Sequence, residues 1–260
     1  MSLIPLSFET MFAAQNISLI ATDMDGTLTT HGKFTSSLLK ALETLAEAKI
    51  AVLLITGRSA GWVQALKSYL PVTGAIAENG GVFFPANSEQ PKLLTPIPDL
   101  ITHRQQLAAT FEYLKSHFPQ IEESTDNPFR LTDWTFDVQR LTTAELQQLE
   151  QLSFAENWGF TYSTVQCHIK QKNQTKATSL LQVLSSYFPQ VTTENLITVG
   201  DSPNDETLFD QSIFPVSIGV ANLLHYKDKL NFLPTYVTSL AEGEGFRELA
   251  EMVLQVRSVI

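Results

Sequence analysis

Ala51-Val52-Leu53-Leu54-Ile55 is an unbroken apolar run, with no polar position on either side of its alternation. A strand of that composition must be covered on both faces, as in a parallel sheet flanked by helices. Residues 17–22 and 196–199 read the same way. Between the first two runs, residues 36–48 carry leucines at 38, 39, 42 and 45, which is helical spacing. Residues 60–69 read as a second helix, ended by Pro71. Residues 74–77 and 82–84 read as further strands about the turn Glu78-Asn79-Gly80-Gly81. This alternation predicts an α/β fold, a Rossmann-like parallel sheet with helices on both faces.

The pattern breaks at Pro85, Pro91, Pro96 and Pro98, a stretch without helical periodicity that reads as a linker. A helix is expected over 100–117, a strand or two over 129–140, and a helix capped by Thr142 or Thr143 and running to Asn157. Residues 160–170 read as one strand. Strand–helix alternation resumes with a helix over 176–188, a strand over 196–199, a helix over 204–210, a short strand over 214–218, another at 236–238 and a closing helix over 245–259. The parent domain is therefore expected in two parts, residues 1–85 and 172–260, with an α+β unit of residues 86–171 inserted between them.

Composition narrows the partners. A net charge of −10 argues against nucleic acid, whose phosphates select basic faces. It leaves room for a small anionic substrate, because a bound cation and a few local lysines set the field inside a pocket. The single cysteine, Cys167, cannot form an internal disulfide. No apolar run approaches a membrane span, and residues 1–16 contain neither Lys nor Arg and no long apolar core, unlike a signal peptide. A cytoplasmic location is expected.

Ligands of open parallel sheets bind at the carboxyl ends of the strands. Four polar motifs fall there: Asp23-Met24-Asp25-Gly26-Thr27, Thr56-Gly57-Arg58, Glu78-Asn79-Gly80 and Asp201-Ser202-Pro203-Asn204-Asp205. An Asp-x-Asp pair in isolation is often a turn or a cap; after a buried strand and before Gly-Thr it reads as a site. Mg²⁺ takes oxygen ligands, commonly one or two carboxylates. Asp23 and Asp201 offer carboxylates, and Asp25 its backbone carbonyl. Asp23 has the chemistry to attack phosphorus as a covalent nucleophile, and Asp25 lies close enough in sequence to act as general acid and then base. Thr56 offers a hydroxyl and Gly57 an unobstructed N–H to a phosphate. Lys176, at a helix start, is suited to a phosphate oxygen and to balancing the acids, with Lys170 and Lys172 as competitors; without such a cation clustered acids raise one another's pKa. Asn204 and Asp205 also read as an N-cap and an ion-pair partner, Glu78 and Asn79 as turn residues.

Asp23-Met24-Asp25-Gly26-Thr27-Leu28, Ile55-Thr56-Gly57-Arg58, Lys176 and Gly200-Asp201-Ser202-Pro203-Asn204-Asp205 together resemble the four motifs of the haloacid dehalogenase superfamily, in order and spacing. The insert between the second and third motifs resembles that of the Cof-type subclass (IIB), which includes sucrose-phosphatase and mannosyl-3-phosphoglycerate phosphatase. The turn Glu78-Asn79-Gly80 and the segment Glu244-Gly245 resemble that subclass too. The resemblance implies a Mg²⁺-dependent phosphatase with Asp23 as nucleophile and Asp25 as acid and base. It implies phosphate binding by Thr56, Gly57, Lys176 and Asn204, and a metal site of Asp23, Asp25, Asp201 and Asp205. It also implies that the insert is a mobile cap that excludes water and selects the leaving group. Arg130, Asp133, Trp134, Arg140 and His168 are the candidate substrate contacts there, Arg130 and His168 foremost, and their chemistry suits a phosphosugar. A phosphomutase is the nearest rival, and a non-catalytic phospho-regulatory protein the rival from another class.

Overall fold

The computed structural model describes residues 3–12 and 16–259. The strands are β1 (Ile4–Pro5), β2 (Leu19–Thr22), β3 (Ala51–Ile55), β4 (Gly74–Ala77), β5 (Val82–Pro85), β6 (Lys92–Leu93), β7 (Trp134–Asp137), β8 (Gly159–Tyr162), β9 (Gln166–Lys170), β10 (Leu196–Gly200), β11 (Ser217–Gly219) and β12 (Tyr236–Val237). The helices are α1 (Phe8–Phe12), α2 (Ser36–Glu47), α3 (Ala60–Tyr69), α4 (Leu100–His117), α5 (Thr143–Ala155), α6 (Lys176–Tyr187) and α7 (Glu242–Val259).

Nine strands form one sheet in the order β1-β12-β11-β10-β2-β3-β4-β5-β6. The apolar runs behave as their composition requires. Ile20, Val52 and Leu54 pack to one side with Leu38, Leu42 and Leu45 of α2 and Phe246, Leu249 and Val253 of α7. Leu19, Ala21, Leu53 and Ile55 point to the other side, against Ala177, Leu180, Val183 and Leu184 of α6. Both faces are thus covered. The sheet is parallel from β1 to β4, but β5 and β6 run antiparallel. The turn Glu78-Asn79-Gly80 reverses the chain with three successive residues at positive φ, of 54°, 52° and 110°. Two of them are not glycine, so the backbone there is held against its own preference.

A second sheet, β7-β9-β8, is antiparallel. Alternation along β9 splits its side chains between two environments. Cys167 and Ile169 join Leu107, Phe111 and Leu114 of α4, Phe136, and Leu146 and Leu149 of α5 in a separate apolar core. His168 and Lys170 fall on the opposite face. Thr142 caps α5 through a reciprocal capping box with Glu145, the first of the two caps considered.

Several expectations are corrected here. The single strand over 160–170 is a hairpin, β8 and β9, because the Ser163 hydroxyl oxygen accepts from the N–H groups of Val165 and Gln166 and closes a turn. The helix expected over 204–210 is a 3₁₀ helix, Pro203–Phe209. The strand expected over 214–218 is shifted to Ser217–Gly219, and the proline-rich stretch contains the short strand β6.

Glu78 joins the two sheets. Its buried carboxylate accepts from the N–H of Ala60 (2.9 Å), Leu131 (3.0 Å) and Thr132 (2.6 Å) and from the Thr132 hydroxyl (2.7 Å). Both carboxylate oxygens face donors, so Glu78→Gln sets an amide N–H₂ against a backbone N–H whichever way it turns. That substitution is expected to lower stability by about 2 kcal/mol, read as a lower urea midpoint at unchanged slope.

Candidate active site

β10, β2, β3 and β4 are neighbours, so their carboxyl ends lie side by side. Asp201 follows β10, Asp23 follows β2, Thr56 follows β3, and Glu78 and Asn79 follow β4. Lys176 enters from the first turn of α6, whose N-cap is Thr175. Residues far apart in sequence are thereby brought to one place by strand order.

The buried Lys176 ammonium donates to Asp23 Oδ1 at 2.5 Å and to Asp205 Oδ1 at 2.6 Å. Asp23, Asp201 and Asp205 each offer a carboxylate oxygen, and these oxygens lie within 4.8 Å of one another. The second oxygen of Asp205 accepts from the N–H groups of Asp201 (2.9 Å) and Ser202 (3.1 Å). Asp201 accepts from the Thr27 hydroxyl at 3.2 Å and from Asn222 Nδ2 at 2.9 Å. Gly26 lies so close that a Cβ on it would stand 2.5 Å from Asp201 Oδ2, at a φ of +82°, so only glycine fits this turn.

Three acids against one lysine leave excess negative charge out of water. Burial, then the charge of Asp205, push the Asp23 carboxyl up to about 7 against the pull of Lys176. Burial with the charges of Asp23 and Asp205 pushes Asp201 well up. Burial alone would lower the Lys176 ammonium, but Asp205 and Asp23 overcome it and hold it protonated. An all-oxygen donor set with uncompensated charge fits a hard divalent cation such as Mg²⁺, which Asp23, Asp201 and Asp205 would hold.

Asp25 is placed differently. Arg58 grips its carboxylate with two bonds, Nε to Oδ2 at 2.8 Å and Nη2 to Oδ1 at 2.6 Å. The guanidinium itself lies 4.5 Å over the Trp62 ring. The Asp25 carboxylate is outside the acidic triad. Thr56 Oγ1 accepts from Arg58 N–H at 3.2 Å, which leaves its proton to donate. Asn204 donates through Nδ2 to Asn79 Oδ1 at 3.0 Å. Asp23, Asp25, Thr56, Gly57, Arg58, His168 and Asn204 line one cleft, closed by Ser163, Val165 and Gln166 of the β8–β9 turn.

Of the residues expected on the insert, His168 reaches the cleft. Arg130 does not: all five of its N–H groups are taken by Asp126, Asp133, Gln166 and the carbonyl of Gly57, and it ties Asp126, Asp133 and Gln166 to the Gly57 loop. Trp134 stacks under Arg104 and Arg140 is exposed. Of the competing lysines, Lys170 is committed to the carbonyl of Gln174 and Lys172 lies over the Phe154 ring. Two contributors were missed in the sequence. Arg58 was visible as part of Thr56-Gly57-Arg58 but carried no partner. Asn222 lies beyond the carboxyl end of β11, the very location that identified the other motifs, and shows how far that rule extends.

Residues 20–129 match the model of the haloacid dehalogenase-like hydrolases. The phosphoglycolate phosphatase of Methanothrix thermoacetophila is 28% identical over 239 residues, covering 90% of this chain and 96% of that protein. That of Methanobrevibacter smithii is 27% identical, over 91% and 98%. Among solved structures, Thermoplasma acidophilum 0175 superposes with a TM-score of 0.72 at 18% identity over 92% of this chain and 98% of that one. The C-terminal domain of Candida albicans trehalose-6-phosphate phosphatase does so with a TM-score of 0.71 at 13% identity, over 100% and 99%. The chain is thus similar to haloacid dehalogenase-like hydrolases over residues 20–129 and, over about nine-tenths of its length, to phosphoglycolate phosphatases.

Proposed function

We propose that this protein is a haloacid dehalogenase-type phosphatase, a Mg²⁺-dependent hydrolase of a small phosphate monoester, working through an aspartyl-phosphate. The observation that carries the reading is Lys176 set between Asp23 and Asp205, with Asp201 alongside and Thr56 and Gly57 lining the adjoining cleft. Lys176 holds Oδ1 of Asp23, and Oδ2 is the atom that bonds to phosphorus. The phosphorus–oxygen bond of the ester breaks as Asp25 gives its proton to the departing alkoxide. Asp25 then takes a proton from water, whose oxygen bonds to phosphorus as the Asp23–phosphorus bond breaks, releasing inorganic phosphate. Thr56, Gly57, Asn204 and Lys176 hold the phosphoryl oxygens. Asp23, Asp201 and Asp205 would hold a divalent cation, which would supply positive charge to those oxygens.

Residues 86–171 act in this reading as a cap. The cleft encloses only about 10 Å³, about the space of one water, so an ester enters only after the β8–β9 turn moves away. Arg58 must also release Asp25 before Asp25 can transfer a proton. No helix among the described residues is long and apolar enough to cross a membrane, which is compatible with a substrate met in the cytoplasm.

The phosphosugar reading leans on Arg130, Asp133, Trp134, Arg140 and His168, of which only His168 lines the cleft. Phosphoglycolate, the ester named for several relatives, is therefore the first to test. Phosphate release from a panel of phosphoglycolate, sugar phosphates and 4-nitrophenyl phosphate is expected with Mg²⁺ and is abolished by EDTA. Release that survives EDTA removes the metal from the reaction; an isomeric sugar phosphate in place of inorganic phosphate means a mutase.

A further inference from the structure

Two nitrogens beside the cleft face the same point and have no hydrogen-bond partner among the described residues. One is Nδ2 of Asn79, a fully buried donor. Its direction is fixed by a relay: the Ser202 hydroxyl donates to Asn204 Oδ1 at 2.7 Å, and Asn204 Nδ2 donates to Asn79 Oδ1 at 3.0 Å, so Nδ2 of Asn79 must turn away. The other is Nε2 of His168, whose Nδ1 is bound to Asp133 Oδ2 at 2.8 Å. A Cβ on Gly57 would stand 3.1 Å from each of them. Gly57 thus leaves open a small cradle beside the cleft, and a buried donor without an acceptor is costly unless a ligand supplies one. Asn79 also occupies its place at a positive φ of 52°, a strained position typical of functional sites.

We propose that Asn79 Nδ2 and His168 Nε2 form the subsite that reads the leaving group of the ester, and that the group they take is a carboxylate. Asn79 Nδ2 only donates, so its partner must be an acceptor oxygen. Asp133 fixes the tautomer of His168 by accepting from Nδ1–H, which aims Nε2 at the cradle. Burial, with Arg130 and Lys170 nearby, keeps the ring neutral against the pull of Asp133. A substrate carboxylate on the far side supplies a second counter-charge, so that Nε2 takes up a proton from solvent and donates. The imidazolium then lies between two carboxylates, with Asn79 donating to the same substrate group. A hydroxyl in that place brings no charge and leaves the ring neutral.

This assignment rests on the phosphatase reading, and the experiment separates the two. kcat/KM is measured with Mg²⁺ for phosphoglycolate and for 2-hydroxyethyl phosphate, which puts a hydroxyl in place of the carboxylate, with 4-nitrophenyl phosphate as a general ester. Wild type is expected to prefer phosphoglycolate over 2-hydroxyethyl phosphate at least ~10-fold. His168→Gln and Asn79→Ala are each expected to bring that preference close to one, chiefly by raising KM for phosphoglycolate. A variant damaged only in folding loses both esters together and keeps the ratio; that result overturns the subsite. A wild type that turns over esters without preferring phosphoglycolate also overturns it, and leaves the phosphatase standing. A wild type that releases phosphate from none of the three brings down the phosphatase reading and the subsite with it.

Discussion

Asp23→Asn is expected to cut phosphate release at least ~10⁴-fold while leaving the fold intact. The amide is the same size as the carboxylate but cannot form the bond to phosphorus, and losing a covalent nucleophile commonly costs four to six powers of ten. The fold should survive because the wild-type charge is itself unfavourable there. Burial and Asp205 push the Asp23 carboxyl up to about 7 even with Lys176 bonded to it, and a neutral residue removes that repulsion. The pH dependence follows in sign. In metal-free protein the folded state holds a proton on Asp23 that the unfolded chain gives up near pH 4, so stability falls as pH rises from about 4 to about 7. Without that carboxylate the decline becomes shallower. Thermal unfolding of both proteins in EDTA, at pH 5 and pH 7, checks the slope, and phosphate release with Mg²⁺ checks the rate. A variant that retains even a hundredth of wild-type turnover would end the case for Asp23 as nucleophile.

What could be read from the chain divides along physical lines. The buried strands were legible because a two-sided strand has no polar position, as in residues 51–55, and the acids were legible because they interrupt such runs at their carboxyl ends. The details of residues 86–171 were less legible, because the face of β7 and β9 opposite their apolar core is buried by polar side chains such as Thr135, His168 and Lys170, so polar positions there do not mark solvent. Ser163 is one hydroxyl in a polar stretch, yet it turns one expected strand into a hairpin whose tip closes the cleft. Arg130 has the chemistry of a substrate ligand, and composition cannot tell a guanidinium facing a ligand from one whose five donors are taken by its own chain. His168 was separable in principle: on β9 it alternates with the apolar Cys167 and Ile169, which places it on the face away from that core. The partner of Asp25 lies 33 residues away, and no local pattern reports a contact of that separation.

Lys176→Met is expected to produce the largest loss of stability of any change at this site, about 3–5 kcal/mol at pH 7 in metal-free protein. The methionine nearly fills the volume of the lysine stem, so the cost is electrostatic: Asp23 and Asp205 keep their burial and lose the cation 2.5 Å and 2.6 Å away. Turnover falls with it, since the phosphoryl group loses the cation bonded to the nucleophile. Lowering the pH lets the orphaned Asp23 carboxyl, already pushed up by burial and Asp205, take up a proton and ends its repulsion with Asp205, so the deficit shrinks between pH 7 and pH 5. A divalent cation acts in the same direction by binding the folded acids, so Mg²⁺ recovers part of the loss at pH 7. Lys170→Met is the control: that ammonium, lowered to about 8 by burial, bonds a backbone carbonyl and no carboxylate, so its removal leaves no acid exposed to this repulsion. Chemical unfolding of both variants at the two pH values, with and without Mg²⁺, separates the roles. A Lys176→Met deficit that ignores both pH and Mg²⁺ would mean that the lysine fills space and does not balance charge, and the acids would then need another explanation for their common burial.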